Sequence, residues 1–509
     1  MTARILIVFF SFLVVSCGEP ADQQTRPAED VVIGDRAGGY NYFTIAEIRT
    51  AAKLRQRALS GSGAYEILEE LTTAAPSRLP GGPDDAKAVA WAEAKFRELG
   101  FDKVWTEPVT LPGWARKSAI AHVTSHDNLE FNITSLGKSV STPEGGVTAE
   151  VVHFATFEDL AAADESEVAG KIVFISNRMA RANNGAGYRP AVIARARGHA
   201  EVAKKGGLAL LIRSIGTDDS DNPHTGAMSF NADGIAAAFE ERTGNDAWSI
   251  AYGEKTVGAA ALSNQDADQL QAIFEAGEAV TMHVDIQNRD LGEITTYNII
   301  GELTGSQRPD EIVITGGHID AWDLGTGAMD DGMGVAITTA AVKLIADLPE
   351  RPARTIRVIA FAAEEVGLFG GFAYAKAHGG EDHVFGIESD FGLGKLRELI
   401  PAVSEDAVPV LREIWRLMGP MGIGWNPDVP GFPGPDLTPL VQNGLPGAAL
   451  AGDGTYYFDH HHTASDTIDL IKPEDLDYNV AAYAALLYLA AEYDGRFEAE
   501  AATENNQEN

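Results

Sequence analysis

The stretch GGHIDAWDLGTGAMDDGMG, residues 316–334, decides the fold. It contains a His-x-Asp pair, a glycine-rich turn and an Asp-Asp pair. The apolar run EIVIT at 311–315 precedes it, and the helical pattern VAITTAAVKLIADL at 335–348 follows it. The order is therefore strand, polar loop, helix. Because ligands of open α/β sheets collect at the carboxyl ends of strands, the stretch predicts half of a metal site.

Composition limits the class of partner. The chain has 509 residues, too many for one ordinary domain, and 45% of them are hydrophobic, which allows sizeable cores. Its formal net charge is −35. Nucleic-acid phosphates bind to Lys and Arg, so this charge argues against a nucleic-acid partner. A solvated acidic surface is a sufficient explanation of the charge.

The first 17 residues, MTARILIVFFSFLVVSC, resemble a bacterial lipoprotein signal peptide. Arg4 supplies the positive start, and the apolar run 5–15 is too short to span a bilayer. The only cysteine of the chain, Cys17, ends the lipobox-like sequence Val-Val-Ser-Cys. We therefore expect export and a lipid anchor through Cys17 in the bacterial cell envelope, on the periplasmic side of the outer membrane. An ordinary signal peptide is the alternative.

The pattern of elements predicts an α/β fold with a mixed, largely parallel sheet flanked by helices. In the second half, helical patterns alternate with apolar strand patterns. The helical patterns lie at 335–348, 368–378, 407–418 and 477–493. The predicted division is a signal peptide at 1–17, a linker at 18–40, a catalytic domain at 41–115 and 291–497, an insertion at 116–290, and a disordered tail at 498–509.

The predicted insertion is β-rich, with a single helix, AEVAKKGG, expected among its strands. Its segments GKIVFISNR at 170–178 and AEVAKKGGLALLIRS at 200–214 resemble the strand, helix, strand pattern of a protease-associated domain. The alternative is an unrelated β-rich insertion.

Further polar clusters follow strand patterns in the second half. These are Glu364-Glu365, Asp390 and His460-His461-His462, which add to His318 and Asp330. Zinc accepts both imidazole nitrogen and carboxylate oxygen, whereas calcium and magnesium sites are built from oxygen alone. The mixture therefore predicts two zinc ions that share a bridging carboxylate.

The two residues of the Glu364-Glu365 pair can have different roles. Side chains alternate along a strand, so one glutamate can bind metal while its neighbour acts as general base on the attacking water. Each cluster alone has an ordinary explanation as a surface pair, a helix cap or a solvated face. Their common order and placement favour the metal site.

Together these motifs resemble the M28 family of co-catalytic zinc metallopeptidases, over most of the chain after residue 40. Within the family, HIDAWDLGTGAMDDGMG and IESDFG look closest to the plasma glutamate carboxypeptidase (carboxypeptidase Q) group. The resemblance implies a zinc exopeptidase fold, two Zn²⁺ ions and a peptide or dipeptide substrate. It leaves a homodimer open.

The resemblance also implies metal ligands. His318 and Asp390 would bind one zinc ion, and Glu365 and His462 would bind the other. Asp330 would bridge the two ions, and the peptide bond that follows it is expected to be cis.

Other roles follow from the same resemblance. Glu364 would be the general base, and Asp320 would orient His318. Asp331 would not bind metal and would serve the conformation of the backbone. Tyr457 and His461 are expected to contact the substrate.

The final cluster matches the family at His462-Thr463 and Asp466-Thr467. His460 is a departure, since an aromatic residue is usual nearby. The choice of ligand within the triplet rests on the resemblance.

The predicted function is an exopeptidase of the carboxypeptidase or dipeptidase type, in which a hydroxide shared by both zinc ions attacks and Glu364 carries the proton. An aminopeptidase is the alternative within the family. A non-catalytic, receptor-like binding protein is less favoured, because all five ligand positions and the base are present. A single-zinc cyclising acyltransferase is disfavoured by the insertion and by Asp330.

Overall fold

The structure is a computed structural model that describes residues 40–228 and 256–499. The predicted signal peptide with Cys17, the predicted linker up to residue 39 and the predicted tail from residue 500 lie outside the described residues. Export and lipid anchoring therefore stay predictions. The described residues from Tyr42 onward belong to one compact unit.

The strands of the described residues are numbered in chain order. They are β1 Lys103–Val123, β2 Leu129–Phe131, β3 Ile133–Ser135, β4 Val147–Phe154, β5 Ile172–Ile175, β6 Ala209–Arg213, β7 Gly258–Leu262, β8 Thr281–Leu303, β9 Arg308–His318, β10 Arg354–Phe361, β11 Asp382–Glu388, β12 Glu398–Ala402, β13 Gly424–Trp425 and β14 Gly447–Ala451.

The α-helices are numbered in the same way. They are α1 Ile45–Ala58, α2 Ala64–Ala74, α3 Asp85–Glu98, α4 Phe157–Ala162, α5 Glu165–Val168, α6 Tyr188–Lys204, α7 Asn264–Glu275, α8 Met333–Ala346, α9 Phe369–His378, α10 Val408–Trp415, α11 Thr438–Gln442 and α12 Pro473–Glu492. Shorter turns include a π-helical turn at Ala328–Gly332 and 3₁₀ turns at Gly419–Met421, Tyr457–Asp459 and Ile468–Leu470.

The strands form one mixed sheet in the order β13-β12-β14-β11-β9-β10-β8-β4-β5-β6-β7-β3, with β1 paired to β8 and to β2. Around β9 the pairing is parallel, with β10 on one side and β11 on the other. The run β4-β5-β6-β7 is also parallel. The predicted α/β fold with a largely parallel, helix-flanked sheet is confirmed.

The buried centre explains why these elements form. All eight residues of β10, RTIRVIAF, are buried between β9 and β8, which is typical of a strand covered on both faces. The helix α12 buries nearly its whole length from Leu476 to Ala491 and packs against α1 and α8. Its alanine-rich sequence allows this close packing, since small side chains let helices approach.

The section predicted as an insertion differs in detail from its prediction. The expectation of one helix was wrong, because α4, α5, α6 and α7 all lie there. The helix predicted as AEVAKKGG begins much earlier, at Tyr188. β1 and β8 form a long antiparallel pair that runs across both predicted boundaries. The division into catalytic and protease-associated domains stays a prediction.

Among the described residues, no helix is both long and apolar enough to cross a membrane.

Candidate metal centre

The predicted site residues gather at one edge of the sheet, beyond the carboxyl ends of three parallel strands. His318 is the last residue of β9, Asp390 follows β11 by two residues, and Glu365 lies in the turn after β10. Asp330 lies in the π-helical turn before α8, and His462 follows the turn Tyr457–Asp459. Parallel strands end at the same edge, so topology alone brings the strand-end residues together.

Asp330 is the centre of the cluster. Its Oδ1 lies 3.3 Å from His318 Nε2, and its Oδ2 lies 3.2 Å from His462 Nε2. His318 Nε2 is also 3.4 Å from Asp390 Oδ1, while His462 Nε2 is 3.0 Å from Glu365 Oε2. One carboxylate therefore faces two imidazoles, each with a second carboxylate beside it. These are the five residues that the resemblance implies as metal ligands, and their role as ligands stays a prediction.

The two neighbouring imidazoles of the triplet lie together. The ring of His461 stacks on that of His462, with 3.5 Å between centroids, and His461 Nε2 lies 3.5 Å from Asp330 Oδ2. His460 differs, since its Nδ1 lies 2.9 Å from Ser465 Oγ. Both His461 and His462 can thus reach the position beside Asp330, and the choice of His462 as ligand stays a prediction.

Tyr457 is buried against this pair. Its ring centroid lies 5.2 Å from that of His461 and 5.2 Å from that of Phe391. The predicted substrate contacts are therefore neighbours in space.

The peptide bond between Asp330 and Asp331 is cis, as predicted. The carboxylate of Asp331 accepts the backbone N–H of His318 at 3.0 Å and that of Gly334 at 3.1 Å. Gly334 is required here, because a Cβ would lie 1.9 Å from the Ser389 carbonyl oxygen. Asp331 therefore ties the end of β9 to the start of α8.

Asp320 contacts His318 through its backbone. His318 Nδ1 donates to the Asp320 carbonyl oxygen at 2.9 Å. A carbonyl only accepts, so Nδ1 keeps its proton, and in the neutral imidazole that binds a metal the Nε2 lone pair would face Asp330 and Asp390. The carboxylate of Asp320 instead accepts the backbone N–H groups of Glu364 at 3.0 Å and Glu365 at 3.2 Å.

Strand alternation does not orient the two glutamates, so that argument was wrong. β10 ends at Phe361, and both glutamates lie in the following turn, after Ala363 with a φ of 59°. The Asp320 carboxylate fixes this turn. Glu365 is buried against His462, whereas Glu364 is only partly buried.

Electrostatics favour positive charge on both sides of Asp330. Burial alone would lower the pKa of His318, but the charge of Asp390 raises it well above its ordinary value. Burial alone would also lower the pKa of His462, but the charge of Glu365 raises it well above its ordinary value. Burial alone would raise the pKa of Asp330, but its contacts with both imidazoles hold it well below the ordinary value. A cation is therefore strongly stabilised at either oxygen.

The donor set fits zinc. Glu365 Oε1 is buried and accepts no hydrogen bond from any described residue, and the buried Asp330 Oδ2 has only the imidazoles of His461 and His462 beside it. A buried carboxylate oxygen without a hydrogen bond calls for a ligand, and a metal ion supplies one. Imidazole nitrogen together with carboxylate oxygen is the combination that zinc prefers.

Comparison with known proteins agrees with this geometry. The sequence profile of Peptidase family M28 matches residues 298–487. Human carboxypeptidase Q is 31% identical over 432 residues, which cover 84% of this chain and 85% of that protein. The chain belongs to peptidase family M28. It is therefore an enzyme, a metallopeptidase.

Solved structures extend the likeness to the fold. The crystal structure of an M28 peptidase precursor from Shewanella amazonensis SB2B has a TM-score of 0.83 and 40% identity, covering 90% of this chain and 99% of that one. A zinc aminopeptidase from Bacillus subtilis has a TM-score of 0.59 and 19% identity, covering 85% and 95%. The second likeness concerns the fold alone.

Sequence reasoning missed Arg78 in this M28 peptidase. Arg78 is 1% exposed and lies in the loop between α2 and α3. Its guanidinium donates to the carbonyl oxygens of Ile319 at 2.6 Å, Thr326 at 2.6 Å and Gly327 at 2.8 Å. It therefore holds both ends of the loop that joins His318 to Asp330. A lone arginine in a Pro- and Gly-rich loop gives no sequence signal for this role.

Three buried carboxylates were also given no role. Asp466 accepts the backbone N–H groups of Met329 at 2.7 Å and Asp330 at 3.1 Å, so it fixes the backbone at the central carboxylate. Glu388 Oε2 accepts the backbone N–H of Asp436 at 3.0 Å. Burial, together with the negative charge of neighbouring carboxylates, raises the pKa of both Glu388 and Asp436 well above the ordinary range. The end of β11 and the loop that carries Asp436 meet only in the folded chain, so the pattern of the sequence gives no sign of this pair.

We predict that Arg78→Lys weakens metal binding while the fold is kept. Lysine retains the positive charge but cannot reproduce the rigid fork that spans three carbonyl groups. Metal affinity should fall about 10- to 100-fold, as expected when support of a metal ligand is lost. Competition with a metal chelator measures it, with circular dichroism as the check on folding.

Arg97→Lys is the matched control, since Arg97 pairs with Glu93 on the exposed side of α3. An Arg78→Lys protein with wild-type metal affinity would contradict the role assigned to Arg78.

Proposed function

We propose that the enzyme is a di-zinc exopeptidase that hydrolyses dipeptides or terminal peptide bonds, of the carboxypeptidase or dipeptidase type. The observation that carries the two-metal part is the position of Asp330, whose two oxygens face different imidazoles at 3.3 and 3.2 Å. A carboxylate so placed can bind one ion through each oxygen.

The residues divide into two ligand groups. His318 and Asp390 would hold one zinc ion, and Glu365 and His462 would hold the other, with Asp330 between them. When bound, the two ions polarise the scissile carbonyl and lower the pKa of water. The buried acids around them support the high positive charge that two zinc ions bring.

Glu364 is the proposed general base. It lies in the same turn as Glu365, and the carboxylate of Asp320 accepts a hydrogen bond from its backbone N–H at 3.0 Å. Burial raises its pKa well above the ordinary value. A general base has to take a proton from water and later give it to the leaving amine. Glu364 is only partly buried, so a substrate can approach it.

The direction of cleavage rests on relatives. The similarity to human carboxypeptidase Q, at 31% identity, supports a carboxypeptidase or dipeptidase. The aminopeptidase from Bacillus subtilis is only 19% identical, so its likeness concerns the fold and does not bear on the direction of cleavage. Tyr457 and His461 are the proposed substrate contacts.

The base assignment predicts that Glu364→Gln abolishes turnover and leaves the metal in place. Glutamine has nearly the same shape but cannot accept the proton, and general bases contribute about 10²- to 10⁴-fold in rate. Turnover and zinc content per chain are measured on the same sample. Glu350→Gln, at an exposed position before β10, is the control. A Glu364→Gln enzyme that keeps most of its activity would show that another group is the base.

The direction of cleavage predicts a pattern over blocked substrates. A free dipeptide should be hydrolysed, and C-terminal amidation should abolish its cleavage, because a carboxypeptidase or dipeptidase binds the free carboxylate. Rates on the free, N-blocked and C-amidated forms of one dipeptide test this. Cleavage of the amidated form without cleavage of the N-blocked form would make the enzyme an aminopeptidase.

A further inference from the structure

Residues 224–226, which belong to the section predicted as an insertion, contact two of the three consecutive histidines, His461 and His462. The Thr225 backbone N–H donates to the His462 carbonyl oxygen at 3.0 Å. The Thr225 carbonyl oxygen lies 3.3 Å from His462 Nδ1. Next to it, His224 Nδ1 donates to the His461 carbonyl oxygen at 2.7 Å. Thr225 thus both donates to and accepts from His462, and its neighbour His224 donates to His461.

The Thr225 carbonyl determines which nitrogen of a neutral His462 would be free. A carbonyl oxygen only accepts, so Nδ1 keeps its proton in the neutral imidazole that binds a metal. The lone pair of that form would be on Nε2, which faces Asp330 and Glu365 at 3.2 and 3.0 Å. Orientation of a metal-binding histidine through its other nitrogen is a general way of tuning such ligands.

Thr225 is itself firmly held. Its Oγ1 donates to the Ser135 carbonyl oxygen at 2.9 Å and accepts from Arg116 Nη2 at 3.1 Å. Its carbonyl oxygen accepts from the buried Arg195 Nη1 at 3.1 Å. Arg116 also binds Asp323, next to Trp322, whose ring centroid lies 5.8 Å from that of His462. A carbonyl fixed by so many contacts can impose one ring orientation.

Gly226 leaves the space that this arrangement needs. Its φ is 129°, and a Cβ there would lie 2.1 Å from Arg195 Nη1 and 2.8 Å from His462 Nδ1. Any side chain at this position would displace the guanidinium, the imidazole or both.

We infer that Thr225 is a positioning residue for the metal centre, which sets the tautomer and ring orientation of His462, and that Gly226 is required beside it. The inference rests on the proposed function, in which His462 binds zinc. It means that the section around 224–226 completes the metal centre and is not an accessory module that could be removed without loss.

The test compares Gly226→Ala with Gly61→Ala in the full chain. Gly61 also has a positive φ, of 122°, but a Cβ there would have no atom within 4 Å, so it controls for backbone strain without a clash. Zinc titration against a chelator should show two sites in the wild type and in Gly61→Ala. In Gly226→Ala the affinity of one site should fall about 10- to 100-fold and that of the other should stay unchanged. The absorption spectrum of the cobalt-substituted protein should change at one site only.

A second pair of variants applies if Gly226→Ala does not fold. Thr225→Val keeps the shape of the side chain but removes its hydroxyl contacts to Ser135 and Arg116, whereas Thr225→Ser keeps the hydroxyl. Thr225→Val should weaken the same zinc site, and Thr225→Ser should restore it. Wild-type affinity at both sites in Gly226→Ala, or in Thr225→Val where the glycine variant does not fold, would overturn the inference. A wild-type protein that binds fewer than two zinc ions would instead overturn the proposed function.

Discussion

The whole site depends on one constraint, which is that a single buried carboxylate must face two imidazoles at once. Asp330 meets it only because its backbone is fixed from several directions. Asp466 holds the N–H groups of Met329 and Asp330, and Arg78 holds the carbonyl groups at both ends of the preceding loop. The parallel strand β9 then delivers His318 to one side, and the chain after β14 delivers His462 to the other.

The same arrangement concentrates negative charge in the interior. Burial raises the pKa of Asp320 to about 7 and that of Asp466 to about 7, although both accept backbone hydrogen bonds. Buried carboxylates are costly unless they are paired with cations or hydrogen-bond donors. Some of these acids are the proposed metal ligands, and others, such as Asp320 and Asp466, hold the loops that carry the proposed ligands. Bound cations would offset much of the repulsion between them.

Local signals predicted the strand, loop and helix at 311–348, since β9 and α8 are an apolar strand and a buried helix on either side of the polar loop. They also predicted which clusters meet, because each follows an apolar strand. Contacts between residues and backbone groups far apart in the sequence leave no local pattern, which is why Arg78 and Thr225 were missed. Pro112 and Gly113, which lie within the long strand β1, are residues typical of a strand end. In the structure the register shifts there and the strand continues.

Anomalous X-ray scattering from crystals of the zinc-loaded enzyme tests the two-metal centre most directly. We expect two zinc peaks, one on each side of the Asp330 carboxylate. One peak should contact His318 and Asp390, and the other should contact Glu365 and His462. A single peak, or two peaks of which neither contacts Asp330, would contradict the claim that one carboxylate organises a two-metal centre.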